Sequence, residues 1–167
     1  MAKDPTPIEI PLECEPPYRP GDLKLFFESP DVVRPKYANP GDGWMDIAAY
    51  LPLGPIVIKP GDRAAISTGI KSSIEPGYRV RFYNRSGMAL KEGVLVGGGC
   101  LDSGYRGEWK VILINTSQIY PYKVVNGQRI AQFSLESYNA IRIQEISEED
   151  LTQTSRGTGG FGSSGAL

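Results

Sequence analysis

The sequence predicts an all-β domain, either a barrel or a sandwich, and three observations lead to this fold class. Short runs rich in β-branched and aromatic residues recur along the chain. Turn signals such as Pro-Gly and Asn-Gly separate these runs, as they do in antiparallel sheets. Only Met88 to Glu92 offers room for a helix, and it is a short one. With 167 residues, the chain is long enough to bury a hydrophobic core.

The first predicted strands lie in the amino-terminal half of the chain. Asp22 to Phe27 is the first, and Pro55 to Ile58 and Ala64 to Ile70 follow. The last two are joined through Pro60-Gly61-Asp62, whose Pro-Gly pair suits a type II turn. Two further Pro-Gly-Asp triplets have unlike surroundings, so we interpret all three as turns and not as a structural repeat.

The second half of the domain continues in the same way. Tyr78 to Tyr83 alternates between apolar and polar residues, as a half-buried strand does, and follows a Pro-Gly turn. Trp109 to Asn115 is more continuously apolar, which predicts a core strand. Asn126-Gly127 is a strong hairpin signal between the strands Tyr122–Val125 and Arg129–Leu135.

Both ends of the chain differ from this central domain, which we assign to residues 22–152. Residues 1–21 contain six prolines, which predicts an extended arm. Residues 153–167 form a glycine-rich segment whose core, Arg156 to Gly165, has five glycines in ten positions. Such a segment cannot supply a core strand, and we expect it to be flexible and disordered in isolation.

Composition excludes several classes of partner. The formal net charge of −1 argues against a general nucleic-acid binder, which needs a basic surface. No apolar stretch reaches transmembrane length, so no membrane partner is expected. Cys14 and Cys100 sit in unlike contexts, which favours reduced thiols in the cytoplasm or another reducing compartment, such as the nucleus or a virus-infected cell.

The chain contains no histidine, and this absence excludes several catalytic mechanisms. It excludes Ser-His and Cys-His nucleophilic catalysis, and it removes the commonest ligand of catalytic zinc. Any catalysis must therefore depend on carboxylates, tyrosines, arginines, backbone amides or a metal that the substrate carries.

The glycine-rich tail is the first candidate site. Glycines allow several backbone N–H groups to point at one anion, and Gly162 lies among such residues. Arg156, Ser163 and Ser164 add donors suited to a terminal phosphate, and Phe161 is able to lie across a flat base. The alternative interpretation is a flexible linker, which is how most glycine- and serine-rich tails behave.

Three further segments carry candidate residues. Arg85, Ser86 and Gly87 follow a predicted strand and begin the short helix, which suits phosphate binding; the alternative is that Ser86 only caps that helix. Gly97, Gly98 and Gly99 expose main-chain groups that can bind a base edge. Asp102 and Tyr105 follow them, although an ordinary turn would also explain Asp102. Gln132 offers an amide within a strand that otherwise reads only as part of a hairpin.

Together, in chain order, these segments resemble the five sequence motifs of the trimeric dUTPase family. The resemblance runs from Gly21 to Gly165 and leaves the proline-rich arm outside. Its strongest matches are the run from Gly99 to Gly107, the triplet Arg85-Ser86-Gly87 and the segment Arg129-Ile130-Ala131-Gln132. It implies a β-clip subunit, a distorted jelly roll, that forms a homotrimer with three active sites at subunit interfaces.

The resemblance also implies the reaction, which is hydrolysis of dUTP to dUMP and pyrophosphate. This activity limits uracil incorporation into DNA and supplies dUMP for dTMP synthesis. By analogy with the family, Asp102 activates a water that attacks the α-phosphorus. Tyr105 packs under the deoxyribose and excludes a ribose 2′-hydroxyl. The backbone from Gly97 to Leu101 pairs with the uracil edge.

The same resemblance assigns the phosphates and the metal. Arg85, Ser86, Gly87 and Gln132 hold the phosphates. The tail of another subunit then closes, with Phe161 over uracil and with Arg156, Gly162, Ser163 and Ser164 at the γ-phosphate. The implied cofactor is Mg²⁺, which the phosphates and waters hold for the most part, since no carboxylate cluster in the sequence would bind it alone.

The chain departs from the family pattern at three places. Trp44 stands where the family usually has a glycine; this leaves the alignment open by one residue at Asp46, the expected partner of Arg85 near the metal. Cys100 replaces a branched aliphatic residue, and we expect it to pack in the interior. Ser103-Gly104 replaces an acidic pair, which should affect the turn more than the chemistry.

Two alternative functions remain at this stage. The first is a dCTP deaminase-like enzyme, a family with the same fold. It uses a glutamate at the position of Ile112, and isoleucine cannot transfer protons. The second is a protein without catalysis, either a dUTP-gated regulatory binding protein or a structural jelly-roll trimer. A product assay separates these alternatives.

Overall fold

The computed structural model describes residues 23–159, and within this range the chain is all-β, as the sequence predicts. The arm 1–21 and the tail residues Phe161, Gly162, Ser163 and Ser164 lie outside the described residues. A five-residue π-helical turn at Met88–Glu92 and a 3₁₀ turn at Glu148–Asp150 accompany twelve strands. The strands are β1 Lys24–Phe27, β2 Lys36–Tyr37, β3 Met45–Ala48, β4 Ile56–Ile58, β5 Arg63–Ser67, β6 Ile70–Ser73, β7 Tyr78–Tyr83, β8 Val94–Gly97, β9 Cys100–Leu101, β10 Lys110–Asn115, β11 Tyr122–Val124 and β12 Arg129–Ser137.

The strands form four antiparallel sheets. The largest has the order β2-β3-β12-β7-β9, and a three-stranded sheet has the order β5-β10-β8. Two small sheets pair β1 with β6 and β11 with β4. Their inner faces meet around three aromatic rings, where Trp109 packs edge-to-face on Phe82 and Phe133 with centroids 5.8 and 5.3 Å away. Trp109 is 0% exposed, so the predicted core strand that follows it, now β10, lies at the centre of the domain.

The predicted strand from Ala64 to Ile70 is wrong, because the chain turns at Gly69. That residue has φ +67°, and a Cβ there would lie 2.6 Å from Val32 Cγ2. Strand β5 before the turn pairs with β10, whereas β6 after it pairs with β1. The Glu108 carboxylate accepts hydrogen bonds from the backbone N–H groups of Thr68 and Gly69 at 3.2 and 3.0 Å, which satisfies the donors that the turn leaves unpaired.

The predicted hairpin at Asn126-Gly127 is also wrong, although the turn itself forms. Gly127 has φ +75°, but β11 pairs with β4 while β12 pairs with β3 and β7. The turn is held by the segment after β3 instead. Asn126 Oδ1 accepts a hydrogen bond from the Leu51 N–H at 2.7 Å, and the Gly127 N–H donates to the Ala49 carbonyl at 2.8 Å. The turn therefore connects strands that belong to different sheets.

Two other local predictions are confirmed. At Pro60-Gly61 the Asp62 N–H donates to the Lys59 carbonyl at 3.1 Å and Gly61 has φ +73°, as a type II turn requires. The short helical segment is found at Met88–Glu92, where Gly87 occupies the cap position without a side-chain hydrogen bond. Ser86 therefore does not cap it, and the capping alternative is wrong.

Within residues 23–159, none of the helical segments is long and apolar enough to cross a membrane.

Candidate active site

An open cleft of about 430 Å³ lies beside the end of strand β7. It brings together four of the residues that the sequence singled out, namely Arg85, Ser86, Gly87 and Gln132. We call it the Arg85 cleft; its lining is Arg85, Ser86, Gly87, Met88, Lys91, Glu92, Tyr122, Gln128, Arg129 and Gln132. The lining contains three cationic side chains, several neutral donors and one carboxylate, so the cleft has the chemistry of an anion site.

Asp46 organises the cationic side of this cleft from below. Its side chain is 7% exposed, and its two oxygens accept separate charged hydrogen bonds. Oδ1 contacts Arg85 Nε at 3.1 Å and Oδ2 contacts Arg129 Nη1 at 3.0 Å. The buried carboxylate is thereby neutralised, since an unpaired charge at this depth would be strongly unfavourable. The same bonds fix the directions of both guanidinium groups.

The strand register explains how Asp46 reaches this position. Asp46 in β3 lies directly opposite Gln132 in β12, which places it beside the residues of the cleft. The sequence left the alignment with the family open by one residue at Asp46. In the structure Asp46 itself contacts Arg85, which removes this ambiguity. Trp44 is 46% exposed and packs against Tyr83 with a ring separation of 5.3 Å. The bulky side chain is accommodated on the surface without shifting the strand.

Sequence reasoning did not include Arg129 among the site residues. Strict alternation along a strand would direct Arg129 and Gln132 to opposite faces, since their separation is an odd number of residues. A bulge between Arg129 and Ala131 shifts the register, and Arg129 then reaches Asp46 on the same side as Gln132. The pairing of Arg129 with a distant aspartate is a tertiary effect, and only the arginine's nearness to Gln132 in the sequence hinted at it.

Tyr122 and Gln128 on the opposite wall of the cleft were also missed. Gln128 Nε2 donates a hydrogen bond to the Tyr122 hydroxyl at 2.7 Å. Burial raises the pKa of Tyr122, and the nearby charge of Glu92 raises it further. This wall therefore presents a neutral phenol to the cleft, next to the Glu92 carboxylate.

The glycine loop, Gly97–Leu101, bridges two sheets and runs along β7; just before it, the Val96 N–H donates to Asn84 Oδ1 at 2.6 Å, next to Arg85. Its Gly97 end pairs with β10 and its Leu101 end pairs with β7. At Gly99 the backbone approaches closely, since its carbonyl accepts the Phe82 N–H at 2.7 Å and a Cβ would lie 2.9 Å from the Phe82 oxygen. A side chain at that position would separate the loop from β7, so the sequence requires glycine there.

Cys100 is exposed, which contradicts the expectation that it packs in the interior. The reason is the alternation of β9. Leu101 turns its side chain toward the core, and the neighbouring Cys100 must then point away from it. The branched residue that the family usually has at this position would be exposed in this subunit as well.

Asp102 and Tyr105 form a tight turn after the glycine loop. The Tyr105 N–H donates to the Asp102 carbonyl at 3.0 Å, while the Asp102 carboxylate is exposed. The Tyr105 hydroxyl donates to the Glu108 carbonyl at 3.0 Å, and its ring lies over Gly107, where a Cβ would be 2.6 Å from the ring carbon Cζ. The ring is therefore fixed in place, with 43% of the residue's surface exposed.

Within one subunit Asp102 is separated from the Arg85 cleft along strand β7. Leu101 lies opposite Val80, so Asp102 is level with the start of β7, near Arg79. Strand β7 continues from Arg79 to Tyr83, a rise of about 13 Å, and Arg85 lies beyond its end. The carboxylate of Asp102 and the Arg85 cleft are thus at opposite ends of the same strand.

Arg156 is the last of the predicted site residues that the structure describes. It is exposed, and its Nε donates to the Gly159 carbonyl at 2.9 Å. It does not line the Arg85 cleft of its own chain. Between residues 23 and 159, no group of three or more Asp, Glu, Cys or His side chains is arranged to hold a metal ion.

Comparison with known proteins places this geometry in a family. Residues 32–165 match the family model described as dUTPase. The deoxyuridine 5'-triphosphate nucleotidohydrolase of Thermobifida fusca is 40% identical over 138 residues, which cover 81% of this chain and 74% of that protein. The protein of the same name from Chlamydia muridarum is 44% identical over 133 residues, covering 78% and 90%.

A solved structure shows the same fold. The dUTPase of Staphylococcus bacteriophage 80alpha with dUpNHpp superposes with a TM-score of 0.76 at 24% identity, covering 87% of this chain and 99% of the phage chain. At that identity the likeness establishes the fold alone. The family model and the curated relatives, which cover most of the sequence, establish membership. This chain belongs to the dUTPase family.

Proposed function

We propose that this protein is a dUTP diphosphatase that works as a homotrimer. The observation that supports this most strongly is the division of the candidate site. The Arg85 cleft has the groups to hold a polyphosphate, and Asp102 with the glycine loop has the groups to bind a base and activate a water. Asp102 and the Arg85 cleft lie at opposite ends of β7, so a complete site requires the Asp102 of one subunit and the Arg85 cleft of another.

Catalysis begins at Asp102. Its exposed carboxylate takes a proton from a water while the water oxygen bonds to the α-phosphorus. The bond from that phosphorus to the oxygen bridging to the β-phosphate breaks, and pyrophosphate leaves with the electron pair. General-base assistance of this kind contributes about 10²–10⁴ in rate. No residue of the chain needs to form a covalent intermediate, which agrees with a sequence that has no histidine.

The glycine loop and Tyr105 select the nucleoside. Backbone groups from Gly97 to Leu101 pair with the uracil edge and leave no room for the methyl group of thymine. The Tyr105 ring, fixed by its hydrogen bond to the Glu108 carbonyl, packs under the deoxyribose. A ribose would bring its 2′-hydroxyl against this ring and lose affinity.

Arg85, Ser86, Gly87 and Gln132 hold the phosphates in the cleft. Mg²⁺ fits this arrangement as a cation that arrives with the triphosphate, because Asp46 below the cleft already has both oxygens bonded to arginines. When bound, the metal neutralises phosphate charge and supports the departure of pyrophosphate. Asp46 acts by positioning Arg85 and Arg129.

The tail closes the site of another subunit. Arg156, Gly162, Ser163 and Ser164 contact the γ-phosphate, and Phe161 covers uracil, which excludes water during the reaction. The product dUMP then serves dTMP synthesis, and removal of dUTP limits uracil in DNA. Two cysteines without a disulfide framework suit a reducing compartment.

A product assay tests this function. Purified protein is incubated with dUTP, dCTP, dTTP and UTP, with and without Mg²⁺, and pyrophosphate and ammonia are measured. We expect pyrophosphate from dUTP with Mg²⁺, and much less from the other three nucleotides. Release of ammonia from dCTP would identify a deaminase instead, although Ile112 in β10 offers no proton-transfer group. Binding of dUTP without any pyrophosphate would favour a regulatory protein.

A further inference from the structure

Glu92 is the one carboxylate among the residues that line the Arg85 cleft. Among residues 23–159 it has no ion-pair partner within 4.0 Å and no side-chain hydrogen bond. Asp46 below the cleft is different, because two arginines neutralise it. A carboxylate without a close ion pair therefore lines a cleft whose remaining groups suit an anion, and neither phosphate binding nor catalysis as described above uses it.

The main-chain position of Glu92 is fixed by the local backbone geometry. It ends the π-helical turn, and the following Gly93 adopts φ +63° while its N–H bonds to the Met88 carbonyl. Glu92 and Tyr122 both line the cleft. Burial raises the pKa of Tyr122, and the charge of Glu92 raises it further. The charge of Glu92 therefore affects a ligand bound where the phosphates are proposed to lie.

A triphosphate carries roughly four negative charges at neutral pH, and a bound divalent cation removes two of them. The exposed carboxylate of Glu92 repels the free form of this ligand more strongly than the complexed form, since the Coulomb energy scales with ligand charge. We propose that Glu92 is a charge filter of the Arg85 cleft, which shifts the preference of this cationic cleft away from the free anion and toward a triphosphate complexed with a divalent cation. This inference rests on the proposed function.

Affinity measurements on a non-hydrolysable ligand test the filter without reference to turnover. The probe is α,β-imido-dUTP, and its Kd is measured by calorimetry in Mg²⁺ and in EDTA. The quantity compared is the Kd in EDTA divided by the Kd in Mg²⁺. In Glu92→Gln we expect this ratio to fall by about three- to tenfold, because removing the negative charge strengthens binding of the free anion most. Charge reversal in Glu92→Lys should lower the ratio further, and added salt should reduce the difference between variants.

The matched control is Glu75→Gln. Glu75 is exposed, lies in the turn before β7 and does not line the cleft, so its variant should keep the wild-type ratio. An unchanged ratio in Glu92→Gln overturns the inference. A ratio that falls only because the Mg²⁺ complex binds more weakly also overturns it, since Glu92 would then contact the cation. If the wild-type protein binds no analogue in either condition, the proposed function itself fails.

Discussion

Asp46 sets the chemistry of the Arg85 cleft although it is nearly buried and does not itself line the cleft. A buried carboxylate between two arginines leaves their outer N–H groups free to face a ligand, and it removes the rotational freedom that long cationic side chains would otherwise lose on binding. The cleft is thus preorganised before a phosphate enters. Arg85, which is proposed to contact the phosphates, therefore depends on Asp46, which does not contact them.

Asp102→Asn is the direct test of the proposed base. The amide keeps the size of the side chain but cannot accept the proton, so kcat should fall by about 10²–10⁴ while nucleotide still binds. Steady-state kinetics and calorimetry with α,β-imido-dUTP measure the two effects separately. Asp42→Asn, at an exposed turn, is the control and should keep wild-type kcat. Near-full activity in Asp102→Asn would contradict the mechanism.

Tyr105→Ala tests the discrimination between deoxyribose and ribose. Loss of the ring opens the space that it occupies, and the ratio of kcat/KM for dUTP over UTP should fall by about 10- to 100-fold. Tyr105→Phe keeps the ring and loses only the hydrogen bond to Glu108, so it should retain most of the selectivity. Equal selectivity in the alanine variant and the wild-type protein would remove Tyr105 from this role.

At the scale of elements, strands with clear local signals were predictable, and those defined by their partners were not. Tyr78–Tyr83 and the Pro60-Gly61 turn follow from alternation and turn chemistry alone. The break at Gly69 depends on contacts with Val32 and Tyr50, and the two-residue strand β9 exists only through its pairing with β7. Local sequence cannot report such distant partners.

The same limit applies to the candidate site. Residues in short motifs, such as Arg85, Ser86 and Gln132, were found from the sequence and do line one cleft. Arg129 was missed because a β-bulge changes its side. Tyr122 and Gln128 were missed because their segment carries only packing and turn signals.

Strands β7 and β12 are joined by a hydrogen bond from the Tyr83 hydroxyl to Glu136. This bond lowers the pKa of Glu136 below its usual value of 4.5. A carboxyl whose pKa is depressed by folding stabilises the protein above its unfolded pKa, and this contribution disappears as pH falls through the folded pKa. The bond should therefore stabilise the sheet at neutral pH and not in strong acid.

Tyr83→Phe tests this expectation. At pH 7 the variant should lose about 1–2 kcal/mol of unfolding free energy, and the difference from the wild-type protein should shrink as pH falls below about 4.5. Urea unfolding followed by circular dichroism at several pH values measures it. Tyr78→Phe, at the other end of β7, is the control because the Tyr78 hydroxyl has no hydrogen bond to any other residue between 23 and 159. A difference that does not vary with pH would contradict the role of Glu136.

At the scale of the whole molecule, one strand separates the two halves of the site. Strand β7 carries the Arg85 cleft at one end and contacts the Asp102 segment at the other. A rigid sheet cannot bend to bring these ends together, so the proposed function requires that a complete site come from different copies of the chain. In a closed ring of identical subunits, each copy would then supply both halves to different sites.

This arrangement predicts complementation between two inactive variants. In Asp102→Asn each subunit keeps an intact cleft, and in Arg85→Ala each keeps an intact base. When the two are unfolded together in equal amounts and refolded, a site is complete only where an intact Asp102 from one subunit meets an intact Arg85 from its neighbour. Random assembly produces this at about one site in four, so the mixture should recover about a quarter of wild-type activity.

Two controls make the result specific. Each variant refolded alone should remain as inactive as before, and mixing the folded variants without unfolding should restore activity only as fast as subunits exchange. If both halves of a site came from one chain, every mixed assembly would contain only defective sites, and the mixture would show no gain. Recovery of about a quarter therefore requires sites shared between subunits, which the separation of Asp102 from the Arg85 cleft along β7 demands.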